Sequence, residues 1–433
     1  DMRDIIVIGG GAAGMMAAIK AAEKGCKVTL LEKNEICGKK ILITGKGRCN
    51  LTNTKPWSEF STHIHPSANF LKPAFFNFSN AATIDYFNSI GLPTRVEQGD
   101  RVFPLSMRAA DVPKVLFARM QELGVDLLCS SQVLNVSYSN ALFHCVCGRR
   151  DSLRGDRIEM VKYSAPALII ATGGLSYPGT GSTGDGYDFA RSLEHSVTEI
   201  FPSLTALMPR MYDTDLVGIE LRNVGLSLFI DLDLIKMEDG ELTFTSNGIE
   251  GALGFRLSRR AVWALIKGQR VELVLDLKPA LSLEKLRARI ARDLTQMGTT
   301  ADKIGRNQFR TLLRGLMPAA LVAPFLHYHK DLNVSNLPDR LKEWRFEIKS
   351  YTGYERAVIT AGGIPQKEII AKTMASKKQP NLYFAGEIID IDGDTGGYNL
   401  QIAFSTGALA GESAAQQILK LKSSLSPHSS VKG

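Results

Sequence analysis

Three glycines near the amino terminus have the spacing that nucleotide phosphates require. Gly9, Gly11 and Gly14 follow the apolar run Ile5–Ile8 and lead into an alanine-rich stretch typical of a helix. In a strand–turn–helix unit the first glycine permits a tight turn, the second lets the backbone approach a pyrophosphate, and the third lets helix and strand pack closely. The amino terminus of the helix then faces the phosphate charge. The pattern predicts a dinucleotide site.

A carboxylate stands where such a site needs one. A second apolar strand over residues 26–31 ends at Glu32, roughly 20 residues after the glycines. At that position a carboxylate can accept hydrogen bonds from both hydroxyls of a ribose. Glu32 is therefore predicted to hold the adenosine ribose.

Two later segments repeat the design of an apolar strand that ends in a glycine turn. Ala171–Gly174 follows the run 167–170, and Ala385–Glu387 follows the run 382–384. The carboxyl ends of strands in a doubly wound sheet meet at the ligand crevice. We therefore expect these two turns to converge with the turn at Gly9.

Longer motifs carry a family resemblance. These are Gly47–Asn53, Ala171–Gly186 and Ala385–Gln401. Together with the glycine fingerprint and Glu32, they resemble the FAD-binding fold of the glutathione-reductase-type flavoproteins. More specifically, the chain is similar to the BaiN/aminoacetone-oxidase-like (YhiN-type) family of bacterial flavoproteins, and the resemblance covers almost the whole chain.

The resemblance implies one non-covalently bound FAD. The cofactor-binding positions that it implies are Gly9, Gly11, Ala12, Ala13, Gly14, Glu32, Lys33, Lys40, Gly47, Arg48, Cys49, Asn50, Val133, Ala171, Thr172, Gly173, Gly174, Asp185, Gly386, Glu387, Gly397, Asn399, Leu400 and Gln401. The catalytic residue is not identified, and the candidates beside the flavin are Arg48, Cys49, Asn50 and Tyr398.

Several of these implied roles also have a physical reason. Glu387 ends a strand, where it is suited to accept hydrogen bonds from the ribityl chain. Asn399–Gln401 opens the last helix, whose first amides can stabilise negative charge on the N1/C2-carbonyl edge of a reduced flavin. The backbone at Val133 fits the adenine-contact position of such folds.

Other patterns have plainer interpretations. Cys49 has no neighbouring cysteine closer than Cys37, so we interpret it as a packed or cofactor-contacting thiol rather than a redox cysteine. The run 181–186 is interpreted as a loop before a helix rather than a second nucleotide fingerprint. Asp390, Asp392 and Asp394 are interpreted as a solvated acidic turn, and His327 and His329 as surface residues. No metal site is predicted.

Composition narrows the class of protein. The chain has 433 residues, six cysteines and a net charge of +8. Lysine and arginine are spread along the chain rather than gathered in a basic block, which disfavours nucleic acid as a partner. There is no apolar run long enough to span a membrane, and we expect reduced thiols and a cytoplasmic location. The sequence does not indicate an oligomeric state.

The predicted fold class is α/β. A Rossmann-like FAD-binding domain of the glutathione-reductase type takes residues 1–196 and 351–422, and a β-barrel-like and helical substrate domain is inserted at 197–350. Helices are predicted over 68–91 and 109–124, an antiparallel meander over 133–163, and a helical block over 283–329. Residues 423–433 are predicted to form a disordered tail.

The predicted function is that of an FAD-dependent oxidoreductase that transfers hydride between flavin N5 and an unidentified small organic substrate. The insert is expected to act as a lid over the flavin. NAD(P)H as a transient electron donor and oxygen as the reoxidant both stay open. Two alternatives are a fumarate-reductase-like 2-enoate reductase, with Arg256, Arg259 or Arg260 as the proton donor, and a tRNA-binding flavoprotein.

Overall fold

The computed structural model describes residues 3–151 and 157–425. The first part of the chain contains twelve of the described strands and six of the described helices. The strands are β1 (Ile5–Ile8), β2 (Val28–Leu31), β3 (Thr52–Asn53), β4 (Ile64–His65), β5 (Thr94–Glu97), β6 (Arg101–Pro104), β7 (Asp126–Leu128), β8 (Ser131–Ser139), β9 (Leu142–Asp151), β10 (Arg157–Ala165), β11 (Ala167–Ile170) and β12 (Phe201–Ser203). The helices are α1 (Ala12–Glu23), α2 (Trp57–Phe60), α3 (Ala68–Asn77), α4 (Asn80–Ser89), α5 (Asp111–Glu122) and α6 (Asp185–Ser192).

The middle and last parts complete the order of elements. The middle strands are β13 (Leu207–Pro209), β14 (Glu220–Ile230), β15 (Asp233–Thr245), β16 (Gly248–Glu250), β17 (Val271–Asp276) and β18 (Trp344–Tyr351), with helices α7 (Gly251–Ile266), α8 (Leu283–Gln296), α9 (Arg306–Leu316), α10 (Ala319–Tyr328) and α11 (Leu337–Lys342). The last part holds β19 (Ile359–Ala361), β20 (Ile369–Ile370), β21 (Ala375–Ser376), β22 (Leu382–Phe384), β23 (Asp392–Gly393) and α12 (Tyr398–Leu425).

The chain forms two compact units. The first takes Asp1–Phe201 together with Ile359–Gly433, and the second takes Pro202–Val358. The main sheet of the first unit has the order β20-β21-β22-β11-β1-β2-β7. Its five strands from β22 to β7 are parallel. The residues of β1 and β11 are at most 4% exposed, which is why these strands are apolar throughout.

Small residues allow the first and last helices to pack closely. A Cβ on Gly407 of α12 would lie 2.4 Å from the carbonyl oxygen of Ala13, and one on Gly411 would lie 2.2 Å from that of Ala17. The alanine-rich sequence of α1 is thus explained by contact with α12 rather than by helix propensity alone. The return of the chain after residue 358 therefore completes the core of the first unit.

The second unit is built on a closed barrel with the order β13-β16-β15-β14-β17-β18. Phe244, Trp344 and Phe346 fill its core, each at most 2% exposed. Leu286, Ile290 and Leu294 of α8 are buried at helical spacing, as their periodicity predicts.

The predicted fold class, a Rossmann-like α/β domain with a β-barrel and helices, is confirmed. The three-stranded sheet β10-β9-β8 is the predicted meander. The last helix continues to Leu425, so the start of the predicted tail is helical, and residues 426–433 lie outside the described part of the chain. Among the described residues no single helix is long and apolar enough to cross a membrane, although the pair α9 and α10, bent by 116°, passes that test by length and composition together.

Candidate functional site

Backbone hydrogen bonds bring the three glycine turns together. The Gly9 amide donates to Leu31 O at 2.9 Å, the Ala171 amide to Ile8 O at 2.9 Å, and the Ala385 amide to Ile170 O at 3.1 Å. The strands β2, β1, β11 and β22 thus end at one edge of the sheet. Residues that are hundreds of positions apart in sequence therefore meet at the carboxyl edge, where doubly wound folds bind their ligands.

The three fingerprint glycines meet different surroundings. A Cβ on Gly9 would lie 2.4 Å from Ala171 O, and one on Gly14 would lie 1.8 Å from Gly9 O, so both positions exclude a side chain. A Cβ on Gly11 would meet nothing within 4 Å. Gly11 is also the N-cap of α1. Because it has no side chain, no N-cap side chain bonds the amides of the first turn, which includes Ala12 and Ala13. The amino terminus of α1 is therefore open to an anion.

Glu32 is buried and fixed in position beside this turn. Its Oε2 accepts from the Gly10 amide at 2.7 Å, and its Oε1 accepts from both the amide and the side chain of Asn34, each at 2.8 Å. Carboxylate oxygens have about two acceptor sites each, so Oε2 keeps one for a ligand hydroxyl. The Ser131 amide donates to Glu32 O at 2.9 Å, which places the start of β8, and Val133 after it, next to Glu32.

Two ion pairs join predicted cofactor residues across the site. Lys33 Nζ lies 2.7 Å from Asp185 Oδ2 at the start of α6. Lys40 Nζ lies 3.2 Å from Glu387 Oε2. The other oxygen of Glu387 accepts from the Thr360 amide at 2.7 Å. Each cation is thus held beside the converging turns, at a place where it would also attract phosphate.

The second glycine turn contains an orphaned hydroxyl. Thr172 Oγ1 is buried and has no hydrogen-bond partner among the described residues. A Cβ on Gly186 would lie 1.8 Å from that atom, and one on Gly174 would lie 2.6 Å from the Thr360 side chain. Gly173 has a φ of +74° and lies near Glu387. The run 181–186 leads into α6, in agreement with its interpretation as a loop.

The loop 47–53 is anchored mainly by structural contacts. Arg48 packs over the Phe103 ring at 4.9 Å and lies 3.7 Å from Glu97, so its guanidinium already has partners. Cys49 is fully buried, and burial raises the pKa of its thiol to about 12 despite a hydrogen bond with Thr44. A protonated, buried thiol agrees with the interpretation of Cys49 as a packed residue.

Asn50 ties this loop to the turn before the last helix. In the amide orientation that satisfies its neighbours, its nitrogen donates to Thr52 O at 2.8 Å and its oxygen accepts from the Gly397 amide at 3.0 Å. Gly397 has a φ of +88°, and a Cβ there would lie 2.4 Å from Thr52 O. Gly47 has a φ of +82° with open space around it. Only glycine fits the close approach at 397.

In the first turn of α12, the Asn399 side chain bonds the preceding turn, and the Gln401 side chain has an oxygen without a partner among the described residues. Asn399 accepts from the Gly393 amide at 2.8 Å and donates to Gly393 O at 2.7 Å. Gln401 is fully buried; its nitrogen donates to Phe78 O, but its Oε1 has no partner among the described residues. Leu400 lies between them, half-buried. Gly386 packs against α1, where a Cβ would lie 2.7 Å from the Ala13 Cβ.

Two interpretations of the sequence are wrong. Asp392 and Asp394 are 1% and 6% exposed, so the acidic turn is largely buried; it is covered because β23 pairs with β4. His329 is 7% exposed and packs on Phe325, so only His327 of that pair is a surface residue. The burial of Asp392 and Asp394 has no local signal in the sequence, because it depends on pairing with a strand more than 300 positions away, whereas His329 packs on residues of its own region, Phe325 and Trp344.

The sequence did not indicate that the thiols of Cys37 and Cys129 are neighbours in the fold. The neighbouring Cys129 thiol raises the pKa of Cys37, and burial and the nearby Glu32 carboxylate act in the same direction. Both thiols are free. They are 92 positions apart, so a search for close cysteine spacing could not find them.

The residues present fit FAD. The helix N-terminus at Gly11 is open, Glu32 has acceptor capacity left, and Thr172 and Gln401 each hold a buried polar atom that lacks a partner. A dinucleotide with a flavin needs an anion site, a ribose acceptor and polar contacts along its length. The residue roles themselves stay predictions.

Comparisons with known proteins agree with this arrangement. The sequence model described as "HI0933-like protein Rossmann domain" matches residues 3–413. A 3-dehydro-bile acid delta(4,6)-reductase of Clostridium scindens is 29% identical over 96% of this chain and 100% of its own. A ribosomal RNA dihydrouridine synthase of Haemophilus influenzae is 28% identical over 95% and 98%. Among solved structures, a 3-ketosteroid delta1-dehydrogenase from Sterolibacterium denitrificans superposes with a TM-score of 0.51 at 13% identity, covering 96% of this chain and 100% of that chain, and supports the fold alone.

Proposed function

The chain belongs to the HI0933-like Rossmann-domain family of FAD-dependent oxidoreductases, and from this premise we propose that it reduces a carbon–carbon double bond conjugated to a carbonyl group in a small organic substrate. The observation that carries the proposal is the full-length similarity to two reductases of different substrates. The name of the first denotes reduction of ring double bonds in a 3-oxo bile acid. The product of the second is a uridine whose conjugated double bond is saturated.

FAD suits this chemistry because its N5 can deliver a hydride to the electron-poor carbon of such a double bond. In the proposed complex the pyrophosphate lies at the amino terminus of α1 beside Gly11. Glu32 would accept from the adenosine ribose, Glu387 would accept from the ribityl chain, and the first amides of α12 would stabilise negative charge on the flavin. Lys33 and Lys40 add positive charge near the phosphates. The contacts of Glu32, Lys33, Lys40 and Glu387 lie beside the carboxyl edge of the main sheet, which supports the proposal.

We propose a reduced nicotinamide nucleotide as the electron donor, bound only while it reduces the flavin. The sequence offers one clean dinucleotide fingerprint, which the proposal assigns to FAD. Because this nucleotide would bind only transiently, it does not require a second dinucleotide-binding fingerprint in the sequence.

The test is an anaerobic reductase assay on the purified holoprotein. NADH and NADPH are offered separately, with 4-androstene-3,17-dione as the enone, and the products are weighed by mass spectrometry. The expected product carries two additional hydrogens, formed with at least one of the donors. Released cofactor should be FAD after heat denaturation, since no covalent link is proposed. A protein that neither contains nor takes up FAD would overturn the proposal.

A second candidate substrate is uridine within ribosomal RNA. The relative from Haemophilus influenzae favours it, and the net charge of +8 has the sign that RNA phosphates attract, although lysine and arginine are spread along the chain. The discriminating assay offers protein-free ribosomal RNA in place of the enone and looks for dihydrouridine by mass spectrometry. RNA binding should also weaken steeply as salt rises, because phosphate contacts release counterions.

A further inference from the structure

A buried carboxylate in the first unit holds two histidines at once. His63 Nδ1 lies 2.8 Å from Asp394 Oδ2, and His65 Nε2 lies 3.1 Å from Asp394 Oδ1. Asp394 is 6% exposed, whereas the side chains of His63 and His65 keep 29% and 31% of their surface exposed. The arrangement therefore has an enclosed negative charge and two imidazoles that reach solvent.

Backbone pairing between two short strands fixes the position of this cluster. Strands β4 and β23 pair in antiparallel register, with Asp392 opposite His65 and Gly393 opposite Ile64. The Asp394 amide donates to His63 O at 3.0 Å. The three side chains are thus placed on adjoining backbone, so their contact does not depend on long, mobile side chains.

The cluster adjoins residues that the proposed function places beside the flavin. The His63 ring stacks on the Tyr398 ring, with centroids 4.5 Å apart and planes at 24°. Asn399 donates to both Gly393 O and Asp394 O. Asn53 donates to Gly396 O at 3.1 Å and so joins the loop 47–53 to the same turn. His63 therefore lies against the first turn of α12, and His65 is linked to the same place through Asp394.

The charges in this cluster suit a role in proton transfer. Burial alone would raise the pKa of Asp394, but hydrogen bonds from His63 and His65 and their positive charge lower it to about 2. The carboxylate is thus ionised at neutral pH, and each of its oxygens lies within hydrogen-bond distance of one ring. Among the described residues, His63 Nε2 and His65 Nδ1 have no hydrogen-bond partner, so each ring keeps one nitrogen for a ligand. Of the titratable groups nearby, Asp394 and Tyr398 contact the pair, and Asp392 lies opposite His65 in the strand register.

We propose that His63 and His65, positioned by Asp394, supply the proton that completes reduction of the conjugated double bond. This inference rests on the proposed function. One carbon of the double bond receives the hydride, and its π electrons move towards the carbonyl group. The α-carbon or the carbonyl oxygen then takes a proton from an imidazolium N–H. The ring is left neutral and takes a new proton from solvent, while the oxidised flavin is reduced again by the nicotinamide donor.

Asp394 is a positioning residue in this scheme. It donates no proton to the substrate, because its low pKa leaves it ionised at neutral pH, and it acts by orienting the two rings. An acid must be protonated to act, so the rate of substrate reduction should fall as pH rises. Removing the negative charge of Asp394 should move that fall to lower pH.

The kinetic test compares the holoprotein with three variants. These are the double variant His63→Gln with His65→Gln, the variant Asp394→Asn, and the control His327→Gln. The control removes a histidine that also lies 2.8 Å from a carboxylate, Asp213, but in the second unit. Dithionite-reduced protein is mixed anaerobically with 4-androstene-3,17-dione, and flavin reoxidation is followed across pH.

The double variant should reoxidise about 100-fold more slowly or worse, because positioned acids contribute roughly that much. Its slow rate should no longer fall at high pH. Asp394→Asn should shift the fall to lower pH, and His327→Gln should match the wild type. A double variant with the wild-type rate and pH profile would overturn this inference. A reduced wild type that the enone fails to reoxidise at any pH would instead overturn the proposed function.

A second readout does not use activity. Diethylpyrocarbonate modifies accessible imidazole nitrogens, and mass spectrometry locates the modified residues. In the apoprotein His63, His65 and His327 should all react. Adding FAD and 4-androstene-3,17-dione should slow modification of His63 and His65 about tenfold and leave His327 unchanged, because only the first two adjoin the proposed site. Equal reactivity of His63 and His65 with and without these ligands would contradict their place at the site.

Discussion

Glu32 accepts hydrogen bonds from Gly10 and Asn34 in the apoprotein, and it is also proposed to bind the ribose of FAD. Replacing it with glutamine or alanine removes the charged acceptor and leaves the donors of Gly10 and Asn34 with a weaker partner or none. We predict that Glu32→Ala lowers FAD affinity by about 1–3 kcal/mol and that Glu32→Gln has a smaller effect. Titration of apoprotein with FAD, followed by flavin fluorescence, measures both.

The matched control for this prediction is Glu122→Gln. Its carboxylate is 65% exposed and pairs with Arg119 in the same helix, so FAD affinity should not change. Wild-type FAD affinity in Glu32→Ala would disprove the ribose role.

Asp394 should make stability depend on pH in a defined window. Its pKa is about 2 in the folded protein and near 3.8 without the fold, so its stabilising contribution is present above pH 4 and is lost as pH falls towards 2. Asp394→Asn should therefore be less stable by on the order of 2 kcal/mol at neutral pH. Denaturant unfolding of both proteins between pH 7 and pH 3 measures the difference. A gap that stays constant or widens as pH falls below 4 would be inconsistent with an ionised Asp394.

At the scale of the element, α1 and the turn before it allow a matched pair of substitutions. Gly14→Ala would place a Cβ 1.8 Å from Gly9 O, so strand and helix must separate, at a cost of about 3 kcal/mol or more. Gly11→Ala meets nothing within 4 Å and has a φ of −82°, which any residue adopts. We predict that Gly11→Ala changes the stability of the apoprotein by less than about 0.5 kcal/mol.

The same Gly11→Ala variant should bind FAD about tenfold or more weakly, because its methyl group occupies the space proposed for the pyrophosphate. Thermal unfolding of the apoprotein and FAD titration separate the two effects. If Gly11→Ala bound FAD as the wild type does, the pyrophosphate would have to lie elsewhere.

Elements with strong local patterns could be predicted from the sequence. The buried strands before Gly9, Ala171 and Ala385 are apolar throughout and end in glycine turns, so each was recognisable without its neighbours. The two-residue strands β4 and β23 carry too few residues for any periodicity. Their pairing creates the contact of His63 with Asp394, 331 positions away, which no local pattern encodes.

The same limit applies to individual site residues. Glu32 and Glu387 were predictable because each follows a recognisable strand. The structural contacts of Arg48 with Glu97 and Phe103 were not, because β5 and β6 form a small sheet with β3 that has no clear signal in the sequence.

At the scale of the whole molecule, the order of the chain matters for the site. The first unit takes both ends of the chain, and the barrel unit is one continuous segment between them. The turns at Gly9 and Ala171 are made before the barrel, whereas Ala385 and α12 come after it. The proposed cofactor site is therefore complete only when the last part of the chain has returned to the sheet.

The central claim is that the reduced holoprotein transfers hydride to a conjugated double bond. The most direct measurement is a single anaerobic turnover, in which dithionite-reduced protein is mixed with 4-androstene-3,17-dione and, separately, with its saturated analogue 5α-androstane-3,17-dione. The account predicts that the enone restores the oxidised flavin spectrum and yields one saturated product per flavin, while the saturated ketone does neither. Flavin that stays reduced with the enone, or that both steroids reoxidise equally, would contradict the account.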